Sequence, residues 1–581
     1  MKTNIYLHQT HHSLADFEGI FASLAQILSQ KSGLHLFPES FLCGYPLADL
    51  VIQKSFIEAY QKHIHEIDLW LKSQALSEAR ALCGGLAYEL DDSGNMLRLR
   101  NVIYELIPGQ GLKAIYTKRL LPNYDIFDEQ KYFTPGEGNT FYQYQGRTFG
   151  LLICEDMWFS SFHQKDPSQF MLEESIEKKI KVDAIINLSA SPFDVTKRHK
   201  RKNRTQTLSH MFKAPLIYIN RVGGEDEVLF DGGSFVINNN EILCQLKNFE
   251  AESKLFVLED QQTNYDEFVP HTPNIWESFF SPELEKVKEL PTIRKWTTED
   301  CKLVADALMF GLQEYASKSG FKKFLVALSG GLDSALVLAL TKLSLKKGQE
   351  LEAIYMPSIH SSSISTQLCE KMCFDNDIPL KHLPIKFLHS TIKNTFTQSF
   401  KEPFEGLTDE NVQSRLRGLL LYTRSNQTGA MVINTSNKSE LAVGYSTQYG
   451  DSVGAISLLG DLYKSEVYWL AEYLNSVHPG IIPQGIIDRG PSAELRENQL
   501  DQDSLPPYER LDAILEGILS YKMSRIQLIN EGYKAEEVDK VIRLYTRSEY
   551  KRAQFCPIVK VKSKSFGFGY RVPMSKTNSF F

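Results

Sequence analysis

Short apolar runs at residues 4–8, 34–37, 149–154, 184–188 and 215–219 punctuate the first 260 residues, and the stretches between them place apolar residues three and four apart. That alternation of strand-like and helix-like spacing predicts an α/β unit. Residues 260–291 carry several prolines and no sustained period, which predicts a linker. Beyond it, Cys301, Leu303, Val304, Ala307, Leu308 and Leu312 keep helical spacing across 297–317, and an apolar strand follows at 324–328. Further strands are expected at 351–356 and 431–434, each beside a helix-like run, as in a doubly wound parallel sheet. The chain therefore divides into a unit over 1–260, a linker over 261–295 and a second α/β unit over 296–581. Neither internal repeats nor low-complexity tracts interrupt this organisation.

Composition narrows the partners. The 581 residues are 42% hydrophobic with a formal net charge of -7, an ordinary soluble balance that gives no electrostatic reason to bind nucleic acid or an acidic membrane. Small molecules are the expected partners. Eight cysteines lie scattered at 43, 83, 154, 244, 301, 369, 373 and 556, without the dense spacing of a secreted disulfide framework, so a reducing cytoplasm is expected. The opening MKTNIYLHQT lacks the apolar core of a signal peptide, and no stretch approaches the ~18 apolar residues of a membrane span. The basic run KRHKRKNR, residues 197–204, reads as a solvated helix face rather than a nucleic-acid patch, given the acidic chain. Cys369 and Cys373 stand four apart with no second Cys or His pair nearby, which marks core residues rather than metal ligands.

In the first unit three segments carry chemistry: LHLFPESFLCGYP with Glu39, TKRLLPNYDIFDEQKYFTPG with Lys118, and FGLLICEDMW with Cys154 closing a strand. A thiol to attack, a carboxylate to move protons and a cation to steady the oxyanion suffice for amide hydrolysis. Singly, each residue is ordinary. In this order and wording, with NLSASPF at 187–193 and FDGGSF at 230–235, they resemble the nitrilase, or carbon-nitrogen hydrolase, superfamily. The resemblance implies an α-β-β-α sandwich in which Glu39 is the general base, Lys118 the oxyanion and positioning residue and Cys154 the nucleophile. It also implies that Glu129 orients the lysine and base and that Tyr124 contacts glutamine. One departure is visible: the family's usual QxNxxxGD opening is here QTHHSLAD.

In the second unit the strand at 324–328 runs into SGGLDS, residues 329–334, and then into a helix. Such a loop offers successive N–H groups, hydroxyls and a helix start to an anion. No lysine of the Walker type follows, so the loop fits a pyrophosphate leaving group better than γ-phosphoryl transfer. Asp333 beside a phosphate would be repulsive without a divalent cation, which implies Mg²⁺. SGGxDS resembles the ATP-pyrophosphatase family, and ENVQSRLRG (410–418), NTSNKSELAVGYSTQYGDS (434–452) and QLDQDSLPPYERLDAIL (499–515) resemble its NAD synthetases. MPSIHSSSIS and FGFGYR fit their glutamine-using form. By that resemblance Ser329, Gly331, Asp333, Ser334, Thr435 and Lys464 bind ATP. Asp333 and Glu440 share the Mg²⁺, and Asn411, Arg415, Glu440 and Asp451 serve the deamido-NAD site. Ser492 stands where some relatives have threonine.

The resemblance covers residues 4–575. It implies that glutamine is hydrolysed at Cys154 and that its ammonia displaces AMP from an adenylated deamido-NAD to give NAD, in a homo-oligomer. Two other readings stay open: an amidotransferase of the same ATP family with another acceptor, and a plain amidase whose second half only binds nucleotide.

Overall fold

The computed structural model describes residues 2–30, 32–158, 166–259, 293–491, 494–496, 499 and 504–576. Most of the expected linker, residues 260–292, and Ser492 lie outside the described residues. The chain forms two compact units, one of Met1–Glu225 and Leu229–Glu283, the other of Asp226–Val228 and Leu284–Phe581.

The N-terminal unit holds two six-stranded sheets. In the first, the strands run in the order Glu252–Leu258, Thr3–Gln9, Leu34–Leu36, Arg80–Leu90, Met96–Ile107, Gly111–Thr117. In the second the order is Glu241–Gln245, Phe235–Asn238, Leu216–Asn220, Ala184–Ser189, Arg147–Ile153, Phe141–Tyr144. Ile5, Leu7, Leu34 and Leu82 of the first sheet share one core with Leu151, Ile186, Leu188 and Ile217 of the second. Helices Phe17–Gln30 and Lys54–Ser73 cover the outer face of the first sheet through Ile20, Leu24, Tyr60 and Leu71. Leu208 of helix Lys197–Phe212 and Met171 of helix Pro167–Glu177 cover the second. This is the α-β-β-α sandwich. Strand Ala184–Ser189 is buried at every position because both its faces are covered, which is why its sequence does not alternate.

In the C-terminal unit five parallel strands run in the order Leu380–His382, Glu350–Tyr355, Lys323–Ala327, Met431–Asn434, Ile456–Ser457. The chain starts at the central strand, steps to one edge, returns and steps to the other. The switch point therefore falls between Lys323–Ala327 and Met431–Asn434, where ligands of doubly wound sheets collect beyond the carboxyl ends. SGGLDS follows the first of these strands and NTSNKSE the second, so topology alone brings together two loops a hundred residues apart. Gly330 sits at φ +84°, and a Cβ there would lie 3.1 Å from Ser365 Cα, so the loop needs glycine. Among the described residues no helix is long and apolar enough to cross a membrane. All eight cysteines are unpaired, and Cys369 and Cys373 are buried on helix Ser363–Asp375.

Candidate active sites

Glu39, Lys118, Glu129 and Cys154 meet in the N-terminal unit. Lys118 Nζ donates to Glu39 Oε1 and to Glu129 Oε1, each at 2.7 Å, and all three side chains are no more than 3% exposed. Each carboxylate has further donors. Asn101 Nδ2 reaches Glu39 Oε1 and the Ala190 N–H reaches Oε2, both at 2.8 Å, while the Tyr45 hydroxyl donates to Glu129 Oε1 at 2.8 Å. Two anions therefore hold one cation in a dry site. The flanking carboxylates drive the Lys118 pKa well above its ordinary value against the opposing effect of burial. Glu129 is pushed up to about 7, chiefly by burial and against the pull of Lys118. The base reaches this position because its loop lies directly on the sheet: a Cβ on Gly84 would stand 2.2 Å from Ser40 N and 2.5 Å from Glu39 Cα.

Cys154 follows strand Arg147–Ile153 and opens a short 3₁₀ turn, Cys154–Met157. Its φ is +44°, a left-handed conformation costly for any side chain and typical of reactive turns. Burial, and then the Glu39 charge, raise the thiol pKa well above the ordinary range, with Lys118 opposing. At rest the group is a thiol that needs a base. The turn is tied to the lysine by Asp156, whose Oδ1 accepts the N–H groups of Arg119 (3.0 Å) and Leu120 (2.7 Å). Its Oδ2 accepts the Tyr116 hydroxyl at 2.9 Å and the Ile153 N–H at 3.2 Å. One fully buried aspartate thus fastens the residues after Lys118 to the residue before Cys154.

The basic run departs from the sequence expectation. It begins helix Lys197–Phe212, but Arg201 and Arg204 turn inward rather than forming a solvated face. Arg201 Nη1 pairs with Asp231 at 2.9 Å and its Nη2 donates to the carbonyls of Ser191 and Pro192. Arg204 Nε donates to Met157 O at 2.5 Å and its Nη2 pairs with Asp166 at 3.1 Å. They brace the loops around Cys154. Lys197, half-buried on the same face, acts electrostatically on both Cys154 and Glu155, and burial together with Arg201 lowers its pKa. Glu155 accepts the Tyr124 hydroxyl at 3.0 Å and is held above its ordinary pKa by burial. An ammonium and a carboxylate therefore flank the nucleophile. Sequence reasoning missed both, although spacings of four (197, 201) and three (201, 204) put these cations on one helical face.

In the C-terminal unit Ser329, Gly331, Asp333, Ser334, Thr435, Glu440, Asp451 and Lys464 all line one cleft. Ser329 and Ser334 are hydroxyl to hydroxyl at 3.1 Å, and Gly331 N–H donates to Ser329 Oγ at 3.2 Å, which curls the loop at the helix start. Lys464 Nζ donates to Asp333 Oδ2 and stands 3.9 Å from Glu440 Oε1. Asn437 Nδ2 donates to Asp333 Oδ1 at 3.0 Å, and Asn437 Oδ1 caps the Glu440 N–H at 3.0 Å. The Lys464 pKa is raised, Asp333 and Glu440 outweighing burial. Asp451 accepts the Thr447 N–H at 2.6 Å and the Ser414 hydroxyl at 3.0 Å, pinning its loop to helix Leu407–Thr428.

Asn411 and Arg415 stand beside that loop, outside the cleft lining: Asn411 Oδ1 accepts the Thr447 hydroxyl at 2.7 Å and Arg415 Nε donates to Gln448 O at 3.3 Å. Arg417 lines the cleft instead, with Nε on Met356 O at 3.0 Å and its pKa lowered by burial. Two residues along a helix is about 200° of rotation, so the arginines of RLR face opposite ways.

The chain matches the carbon-nitrogen hydrolase family over residues 7–257 and the NAD synthase family over residues 304–555. It is 34% identical to the glutamine-dependent NAD(+) synthetase of Synechocystis sp., over 96% of this chain and 95% of that protein. To the same enzyme of Aquifex aeolicus it is 33% identical over 100% of both chains. Among solved structures, the glutamine-dependent NAD+ synthetase of Acinetobacter baumannii in complex with ADP is similar with a TM-score of 0.70 at 29% identity, covering 99% of this chain and 98% of that one. That of Cytophaga hutchinsonii shares the fold with a TM-score of 0.76 at 17% identity, covering 100% and 98%.

Proposed function

The chain belongs to the glutamine-dependent NAD(+) synthetases, and from that premise we propose how its residues divide the reaction. The enzyme forms NAD+ from deamido-NAD+, ATP and glutamine, releasing AMP, diphosphate and glutamate. The N-terminal unit, over 1–260, takes the glutamine step and the C-terminal unit, over 296–581, the adenylation. The observation that carries this division is the pair of charge constellations: a lysine locked between two buried carboxylates beside a cysteine, and a lysine against Asp333 at the SGGLDS loop.

For glutamine, the Cys154 thiol passes its proton to Glu39 as sulfur attacks the side-chain amide carbon. Lys118 spends two of its three N–H donors on Glu39 and Glu129, which leaves one for the oxyanion. Collapse of the tetrahedral intermediate returns the proton to the departing nitrogen as ammonia, and water then frees glutamate from the thioester. Lys197 and Glu155 complement the carboxylate and ammonium at the free end of glutamine, with Tyr124 holding Glu155 in place.

For adenylation, Ser329, Gly331 and Ser334 hold the phosphates of ATP while the nicotinate carboxylate attacks the α-phosphorus and diphosphate leaves. Thr435 lies in the same cleft, and Lys464 is placed to turn from Asp333 to phosphate oxygen. Asn411 and Arg415, beside the cleft, and Asp451, in its lining, serve the dinucleotide. Among the described residues no group of three or more His, Cys, Asp or Glu is arranged for a metal, yet Asp333 and Glu440 both face one ammonium. Two hard carboxylates completed by substrate phosphates fit Mg²⁺, which is commonly bound in that way. When bound, it supplies charge compensation between these carboxylates and the phosphates. Unpaired cysteines accord with a cytoplasmic enzyme, and a homo-oligomer is the expected assembly.

Incubation with glutamine, ATP, Mg²⁺ and deamido-NAD, followed by chromatography, tests the reading. NAD, AMP and diphosphate are the expected products, and ADP with phosphate overturns it.

A further inference from the structure

Two helices of the C-terminal unit open with the same three residues. Lys438-Ser439-Glu440 starts helix Lys438–Val443 and Lys464-Ser465-Glu466 starts helix Lys464–Val477. The two copies use their charges in opposite senses. In the first, Lys438 is buried against Asp461 at 2.8 Å and Glu440 lines the cleft. In the second, Lys464 lines the cleft and Glu466 is buried, accepting from Lys562 Nζ and from the Tyr463 N–H, each at 2.7 Å.

Both serines converge on one side chain. Asp512, on helix Tyr508–Leu519 and fully buried, accepts the Ser439 hydroxyl at Oδ1. Its Oδ2 accepts the Ser465 hydroxyl at 2.7 Å and the Ser465 N–H at 3.0 Å. Ser439 Oγ in turn accepts the Lys464 N–H at 2.9 Å, closing the ring. We propose that Asp512 is a positioning residue for adenylation, registering the two Lys-Ser-Glu helix starts so that Glu440 and Lys464 meet Asp333. It does so through their serine neighbours. Only a carboxylate offers acceptors on both oxygens, and an amide would set an N–H against the donors on one side. The inference rests on the synthetase reading of this cleft.

The test uses the full-length enzyme with ammonium as nitrogen donor, so that the glutamine site takes no part. A wild-type enzyme that forms no NAD from deamido-NAD, ATP and ammonium refutes the synthetase reading itself, before any variant is made. Asp512→Asn is expected to lower kcat about tenfold and to raise the Mg²⁺ needed for half-maximal rate about fivefold. Ser465→Ala removes the hydroxyl bond to Asp512 and keeps the N–H bond, which loosens only the arm that carries Lys464, so KM for ATP is expected to rise while the Mg²⁺ requirement stays unchanged. That split separates registration from mere folding. If Asp512→Asn leaves kcat and the Mg²⁺ requirement unchanged, even with a lower melting temperature, the proposal falls. It falls equally if Ser465→Ala shifts the ATP and Mg²⁺ constants by one common factor, or shifts neither. Should Asp512→Asn not fold, Ser465→Ala alone decides by the same two readings.

Discussion

The two reactive centres handle charge in contrary ways. Beside Cys154 the charges of Lys118, Glu39 and Glu129 are matched with one another inside the protein, all three side chains no more than 3% exposed. In the SGGLDS cleft the carboxylates of Asp333 and Glu440 are 17% and 18% exposed and share one lysine between them. The difference follows from the substrates. A glutamine amide is small and neutral, so its site can be complete and dry before it arrives, with donors fixed where charge will develop. ATP and a dinucleotide are large anions, so their site keeps room and leaves part of its charge to be balanced by what binds. The first centre is preorganised by pairing, the second by backbone placement.

Substitutions can break this contrast from either side. Cys154→Ala should abolish glutamine-driven NAD formation by at least about 1,000-fold while ammonium at mildly alkaline pH restores synthesis, as measured by NAD yield with each donor. Loss of both activities in a folded variant would contradict the independence of the two centres. Asp333→Asn should cut synthesis from either nitrogen source by about 100-fold or more, with glutamate release from glutamine surviving at least in part. Asp156→Asn sharpens the contrast within the first centre. By setting an amide N–H against the donors that fasten Lys118 to Cys154, it should lower glutamine-driven kcat about tenfold and leave ammonium-driven synthesis intact.

The smallest effect is on stability. Burial raises the Asp156 pKa from 3.8 to about 6, so between those values the folded protein binds a proton that the unfolded chain does not. Its contribution to stability is therefore greatest below about pH 4, falls as pH rises through 6 and is level above. Melting curves of wild type and Asp156→Asn should show wild type gaining on the variant as pH drops from 7 to 4. A constant difference would mean that burial does not raise the Asp156 pKa in the folded protein.

The sequence already marked Cys154 at the end of an expected strand, Glu39 just past another and Lys118 by the motif it shares with the nitrilase superfamily. It displayed the SGGLDS loop because motif and strand end coincide there, and the parallel sheet from its spacing of strands and helices. What it concealed depends on long-range placement. Asp156 and Asp512 look like any aspartate until four donors are found around one and three around the other. The run at 197–204 reads as solvated by charge alone, whereas Arg201 and Arg204 are buried because Asp231 and Asp166 await them. Arg415 and Arg417 are equal as letters, and only helical rotation decides which one meets the cleft.

The left-handed turn at Cys154 also limits what could ever replace the sulfur. At φ +44° a second heavy atom on Cβ crowds the flanking peptide groups, so threonine and other β-branched residues are excluded there on shape alone. Serine is then the one hydroxyl nucleophile that can occupy the position without rebuilding the strand end, and it would bring a far less acidic and less nucleophilic group to the same base. Backbone geometry thus narrows the nucleophile to cysteine or serine, and reactivity then favours the thiol.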